Sequence, residues 1–443
     1  MSDARTLLRS LFAAAVAAVE PAAAVRAHLR REGSRLTVGG WTHEIDPAGR
    51  VVLVGAGKAS AAMAQAVEEI LGDQLTRGVV VVKHDHTAPL TRVRQLEAAH
   101  PVPDTDGEAG AHAIESELTG LTTRDLVIAC WSGGASALLP APRAGLSLAD
   151  KQALTRLLLA SGGDITALNA VRKHLSRLKG GQLARRAQPA SVLCLVVSDV
   201  IGDDLATIGS GPFIADPTTF ADVDALMRRL GINERLPPAV ARIIAAGAAG
   251  TIPETPKVGD PCFVRVHHHL VASNALAVEA AARAATAAGY RAEIWRQPLS
   301  GEARAAGATF AGAALHYLAR GERVCLIAGG ETTVTLGTDH GLGGRNQEFV
   351  LAAAGMLASA RHPRVPAPVT ILAAGTDGSD GPTDAAGAFA DATTLARARA
   401  AGLDLEQHLN RHDAYPFFAG LGDLLRSGPT GTNVMDVAFA LVG

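Results

Sequence analysis

Aromatic residues are scarce: Phe, Tyr and Trp together make up 4% of the 443 residues. So few rings argue against base-stacking platforms for nucleic acid. Neither charge is in excess, with 41 Lys and Arg against 43 Asp and Glu. A general nucleic-acid or membrane-surface binder needs a clear positive surplus, so neither partner is expected. Cysteine is confined to Cys130, Cys194, Cys262 and Cys325, all in or beside apolar runs and none in a CxxC pair. They read as reduced, buried small hydrophobes, which fits a cytoplasmic protein. No apolar run reaches the ~20 residues of a membrane helix. The Ala-rich stretch from Leu11 to Val25 superficially resembles a signal peptide, but Asp3 precedes it and Glu20-Pro21 interrupts it. A surface helix is expected there.

What the chain does hold is apolar residue and glycine. Hydrophobic residues reach 48%, charged ones 19%, and there are 47 Gly. That composition supports a sizeable core, and the length suggests two or three domains. Many Gly follow short runs of Val, Ile and Leu, the texture of an α/β protein with ligand-binding turns at strand ends. Val51-Val54 is one such run, followed by Gly55-Ala56-Gly57-Lys58-Ala59-Ser60 and a helical repeat through Leu71. Val79-Val82 is the next strand, so a βαβ unit and a parallel sheet are expected. Further strands are expected at Leu126-Cys130, Val192-Val197, Leu270-Ala272, Val324-Ala328, Val369-Ala373 and Val437-Val442. The Gly- and Pro-rich stretch from Ala246 to Pro261 reads as a boundary. It separates a domain over residues 1–250 from a second α/β domain over 262–443, with the last residues free to pack back on the first.

Several strand-end segments carry chemistry. The turn Gly55-Ala56-Gly57-Lys58 opens a helix, where main-chain N–H groups and the dipole favour an anion, and Lys58 adds a full charge. It is not a P-loop, and Ser60 breaks the dinucleotide fingerprint. Ser132-Gly133-Gly134-Ala135-Ser136 is either an ordinary turn or a place where backbone and hydroxyls bind a carboxylate or phosphate oxygen. Ser147-Leu148-Ala149-Asp150 reads as a capping box. On a helix expected from about Leu168 to Lys179, Arg172, Ser176 and Lys179 share a face, either as a solvated surface or as phosphate contacts. Asp199, and Asp377 within Gly375-Thr376-Asp377-Gly378-Ser379-Asp380, are carboxylates at strand ends that suit Mg²⁺. Arg345, in Gly343-Gly344-Arg345-Asn346-Gln347-Glu348, falls in a first helical turn, where a cation opposes the dipole unless an anion lies between them. His267-His268-His269 reads as a strand without a metal role, because adjacent side chains face opposite ways.

Eight segments in this order resemble the type II glycerate kinases, or glycerate 2-kinases. They are Gly55-Ala56-Gly57-Lys58-Ala59, His100-Pro101-Val102-Pro103-Asp104, Ser132 to Ser136, Asn169 to Gly181, Gly329-Gly330-Glu331-Thr332-Thr333, Gly343 to Glu348, Thr376 to Asp384 and Gly428 to Asp436. The resemblance runs from about Leu11 to Val442 and includes a C-terminal domain of MOFRL type. It implies two α/β domains, the first Rossmann-like with a mainly parallel sheet, and an active site in the interdomain cleft. It implies an ATP- and Mg²⁺-dependent transfer of phosphoryl to the 2-hydroxyl of D-glycerate, by a monomer or homodimer. Lys58 and Arg345 take the catalytic roles of that family, and truncating either to Ala is expected to stop turnover while sparing the fold. Gly55, Gly57, Ser132, Gly133, Gly134, Ser136, Arg172, Glu331, Asn346 and Asp380 are expected to contact substrate or nucleotide, and Asp199 or Asp377 the metal. Two departures from the family pattern stand out: Ala167 replaces an acid common in relatives, and Ser379 an aliphatic residue. The alternatives are an NAD(P)H-dependent hydroxypyruvate reductase, whose ribose-binding acid would be Asp73, and a non-enzymatic small-acid-binding protein.

Overall fold

Two structural units divide the chain in the computed structural model, which describes residues 2–162, 164–359 and 369–443. One is Pro21–Val271; the other joins Met1–Glu20 to Ala272–Gly443. The division therefore falls later than the expected boundary between residues 250 and 262. The Gly- and Pro-rich stretch is a connection inside the first unit, because the strand after it still completes that unit's sheet.

In Pro21–Val271, β1 (Leu29–Glu32), β2 (Arg35–Val38) and β3 (Trp41–Glu44) form an antiparallel meander. The main sheet contains β4 (Val51–Ala56), β5 (Leu75–Lys83), β6 (Val93–Ala98), β7 (Leu126–Trp131), β8 (Ser191–Val197) and β9 (Val266–Ala272), in the order β6-β5-β4-β7-β8-β9. The pairs from β6 through β8 are parallel. Every residue of β4 and β7 is buried, as parallel strands covered on both faces must be. From β4 the chain steps outward to β5 and β6, then returns to β7 on β4's other side. Strand order reverses there, and in open parallel sheets ligands bind at that switch point, beyond the strands' carboxyl ends. The turns at Lys58 and at Ser132–Ser136 leave those two ends.

The other unit's sheet contains β10 (Arg291–Ile294), β11 (Val324–Gly330), β12 (Val369–Gly375), β13 (Gly387–Asp391), β14 (Leu424–Leu425) and β15 (Asp436–Val442), in the order β10-β11-β15-β12-β13-β14. β10 and β11 pair in parallel, and the remaining neighbours pair antiparallel. The last strand thus lies in the middle of this sheet.

Two local expectations change. The N-terminal stretch is two helices, Ser2–Ala18 and Pro21–His28, each with a buried face, not one surface helix. Pro21 has no N–H to donate and starts the second helix, while Leu8, Leu11, Phe12, Ala15 and Val19 are buried. Among the described residues, no single helix is long and apolar enough to cross a membrane. The helix carrying Arg172 spans Ile165–His174 and stops short of Lys179. Past His174 the backbone pairs with another segment: Arg143 N–H donates to Leu175 O and Arg177 N–H to Ala141 O, both at 3.1 Å. The capping box forms as read, with Ser147 and Asp150 each accepting the other's main-chain N–H. The three consecutive histidines lie on β9 and diverge: His267 stacks on Trp41, while His269 pairs with His28 at 2.8 Å.

The first helix is held to its unit by charge as well as by packing. Arg5 bonds Asp391 at 2.7 Å and also Asp423, and both carboxylates are nearly inaccessible. Arg397 retains Asp423 if Arg5 is lost, so the cost falls mainly on Asp391. Arg5→Met is expected to lower stability by about 1–3 kcal/mol, read by urea unfolding.

Candidate active site

In Pro21–Val271 the site residues gather around two interlocked turns. Gly57 has φ 130°, and a Cβ there would strike the Ser132 main chain and hydroxyl. Only glycine lets the turns approach so closely. The contact is sealed by Lys58 N–H donating to Gly133 O at 2.9 Å and Ala59 N–H donating to Ser132 Oγ at 3.0 Å. Gly57 N–H donates to Val81 O, and Ser60 N–H to Gly57 O. The main-chain donors of this turn are therefore engaged within the protein. That corrects the expectation of a main-chain anion cradle: Gly55 and Gly57 shape the turn, and buried Ser132 joins it to the next. The charge remains available, because among the described residues the Lys58 ammonium has no hydrogen-bond or ion-pair partner.

Asp199 closes the other side of this turn. A Cβ on Gly133 would collide with its carboxylate. Burial raises the Asp199 pKa, against its own main-chain N–H and the Lys58 charge, which lower it. His100 was quoted above only as part of a motif, yet its ring lies against Gly134. Burial, then the charges of Lys58 and Lys83, lower it to about 4, so it is neutral at physiological pH. Ser136 is half-buried and sits 3.0 Å from the Ser210 hydroxyl, which in turn bonds Asn169 at 3.1 Å. Arg172 lies three residues beyond Asn169, on the same helical face. Burial lowers its pKa, and among the described residues it has no carboxylate partner. Ser176 Oγ instead accepts from the main chain of Leu178 and Lys179, and Lys179 is buried on Leu139 O, still close enough that the Arg172 charge helps lower its pKa after burial and Lys151.

In the second unit the site forms where three strand ends meet. β15 runs against β11 and β12, and Asp436 pairs in register with Gly330 on one side and Gly375 on the other. The segments after β11 and β12 therefore both emerge beside Asp436. Arg345 is the first residue of helix Arg345–Ser359. Its Nε and Nη2 donate to Asp436 at 2.6 and 2.9 Å, and its Nη1 lies 2.6 Å from Glu331. Burial lowers the Arg345 pKa, but the Asp436 bonds and the charges of Asp436, Glu331 and Asp380 outweigh it, so the net shift is upward. The anions that reconcile Arg345 with the helix dipole thus include the protein's own. Asp380 is one of them: it accepts from Asn346 N–H at 3.0 Å, Gln347 N–H at 2.8 Å and Asn346 Nδ2 at 3.2 Å. Asn346 and Asp380 are both buried, bonded to each other, and support the helix start rather than facing a ligand.

Asp436 was missed as a site residue, since nothing local at a strand's first position foretells a partner 91 residues away. Its burial also corrects the expectation that Arg345→Ala spares the fold, because that change strands an uncompensated buried carboxylate. For metal, Asp377 commits Oδ1 to Ser379 N–H and Oγ, and Asp199 offers one half-buried carboxylate. Among the described residues no group of three potential ligands assembles. Mg²⁺ usually takes only one or two carboxylates and fills its shell with water and phosphate, so either Asp fits such an ion.

Asp380 gives a test of the second unit. Burial raises its carboxyl to about 6, against the Asn346 and Gln347 N–H bonds, which lower it. With the folded pKa above the ordinary 3.8, the carboxyl's contribution to stability falls as pH rises from about 4 to about 6. The full change is ~3 kcal/mol. Asp380→Asn removes that proton. The wild type should therefore lose ground to Asp380→Asn with rising pH across this window and hold level above about pH 7, measured by urea unfolding.

The domain of unknown function DUF4147 matches residues 7–245, and the MOFRL family matches residues 324–436. A putative hydroxypyruvate reductase of Agrobacterium vitis is 44% identical over 100% of this chain and 95% of its own. The glycerate 2-kinase of Pyrococcus horikoshii is 39% identical over 99% of this chain and 98% of its own. The solved glycerate kinase of Thermotoga maritima superposes with a TM-score of 0.87 at 36% identity, covering 100% of both chains. Likeness of this depth in sequence and fold, across both family models, makes this chain an enzyme of the glycerate 2-kinase family.

Proposed function

We propose that the protein transfers phosphoryl from ATP, with Mg²⁺, to the 2-hydroxyl of D-glycerate, giving 2-phosphoglycerate and ADP. The observation that carries this reading is the unpartnered Lys58 ammonium beside Asp199 at the switch point of the parallel sheet. A free cation in that position suits a phosphoryl group, whose transfer depends on positioning and charge neutralisation more than on covalent chemistry. Its setting in a family that includes named glycerate 2-kinases supplies the acceptor.

Each residue then has a task. Lys58 holds the transferring phosphoryl oxygens, and the rigid Gly57–Ser132 junction fixes its stem. Arg172 binds the substrate carboxylate, its own partner among unpaired anions. Arg345 keeps its Nε edge on buried Asp436 and engages phosphate through Nη1, where the half-exposed Glu331 is the easier partner to displace. Mg²⁺, held at Asp199 or Asp377, would neutralise phosphate charge. A nicotinamide-dependent reduction of hydroxypyruvate is less well supported. The main-chain donors that would bind a pyrophosphate are engaged, and Asp73 lies in a helical turn after Leu71, paired with Arg92 at 2.6 Å, rather than at a strand end.

Phosphorus NMR of the protein with ATP, Mg²⁺ and D-glycerate should show 2-phosphoglycerate. A 3-phosphate product would overturn the regiochemistry, and NADH oxidation by hydroxypyruvate without phosphoryl transfer would overturn the kinase reading. Lys58→Ala should lower kcat by ~10³-fold or more. Arg345→Lys keeps a charge beside Asp436 but loses the planar fork, and should lower kcat by ~10²-fold while the thermal midpoint moves only slightly.

A further inference from the structure

Ser136, Ser210 and Asn169 form a chain of hydrogen bonds whose direction is fixed at one end. Asn169 Oδ1 can only accept, and it takes the Ser210 proton at 3.1 Å. A hydroxyl has a single proton, so Ser210 has none left for Ser136, 3.0 Å away. Ser136 must therefore donate inward to Ser210. What it presents outward is lone pairs alone. Ser210 is wholly inaccessible and has φ 63°, a left-handed backbone that side-chain-bearing residues adopt at a cost. Such strain gathers where a side chain has to be held in one place.

On the kinase reading above, we infer that Ser136 reads an alcohol: it accepts a hydrogen bond from the substrate hydroxyl that is not phosphorylated, and Ser210 and Asn169 are positioning residues that set its direction. An outward-facing acceptor repels carboxylate, phosphate and keto oxygens, so the expectation that Ser136 binds an anion is reversed. The neighbourhood agrees. Arg172 shares the helical face of Asn169 and meets the carboxylate. Lys58 and Asp199 flank Gly133 and Gly134 at the other end of the turn. The hydroxyl that receives phosphoryl and gives up its proton belongs by those charges, which leaves the 3-hydroxyl to Ser136.

D-lactate keeps the carboxylate and the 2-hydroxyl but has no 3-hydroxyl, and is the probe. The wild type should prefer D-glycerate over D-lactate in kcat/KM by at least ~10²-fold. Ser136→Ala should cut that preference to within about tenfold, lowering kcat/KM for D-glycerate without lowering it for D-lactate. Ser210→Gly removes the hydroxyl while relieving the left-handed strain, and should cut it by about tenfold. If the chain acts as one unit, the double variant loses no more than Ser136→Ala alone. Parallel losses on both substrates, additive losses, or a wild type that does not discriminate would overturn the inference. A wild type that phosphorylates neither substrate, yet folds by circular dichroism, would overturn the kinase reading first and this inference with it.

Discussion

Two parallel N–H···O bonds between Arg345 and Asp436 organise everything around them in the second unit. Asp436 is buried, and a buried carboxylate without a partner costs several kcal/mol. The surroundings are arranged to keep that partner in reach. Asn274 donates to the main chain of Val434 and Asp436 on either side of Met435, whose φ is 69°. Thr376 donates from both N–H and Oγ1 to the Met435 carbonyl. Asp380 pins the first turn of the helix that begins with Arg345. The guanidinium is thus aimed before any ligand arrives, and preorganised charge of this kind needs no rearrangement during reaction.

The first unit reaches a comparable rigidity by a different route. Its two central strand-end turns are glycine-rich and, among the described residues, carry no ion pair at their junction; main-chain bonds and the buried Ser132 hydroxyl lock them. The consequence is a division of labour within one motif. The residues that look most like ligand binders by composition, the glycines and Ser132, are consumed in building the junction. The side chains that stay out of the junction are those of Lys58 and Ser136.

The strands were legible because central parallel strands are apolar along their whole length, as at Val51–Val54 and Val192–Val197. The turns were legible as places, since Gly punctuates strand ends in this architecture. Their internal bonding was not, because which N–H meets which acceptor depends on two segments more than 70 residues apart, as where Ala59 N–H meets the Ser132 hydroxyl. Arg345 announced itself by being in the wrong place for a helix dipole. Its partners did not, for Asp436 lies on a strand whose neighbours in the sheet come from elsewhere in the chain. The overlong reading of the Arg172 helix has the same origin: apolar spacing continues past His174, but pairing with residues 141–143 captures the backbone.

The central place of β15 bears on how the chain matures during synthesis. Pro21–Val271 is continuous, so all its strands have been made before the other unit's begin. The remaining sheet has a gap between β11 and β12 until β15 is made. Helix Ser2–Ala18 precedes that continuous unit and rests on the other, so Leu8, Leu11 and Phe12 stay uncovered at least until Asn274–Ala287, which packs against it, has been made. Domains fold as units when their residues become available, and here one unit draws on segments that lie on both sides of Pro21–Val271 in the sequence. A ribosome that stalls within β15 releases a finished first unit tethered to a sheet in two halves. That nascent species is the one on which chaperones and proteases have most to act.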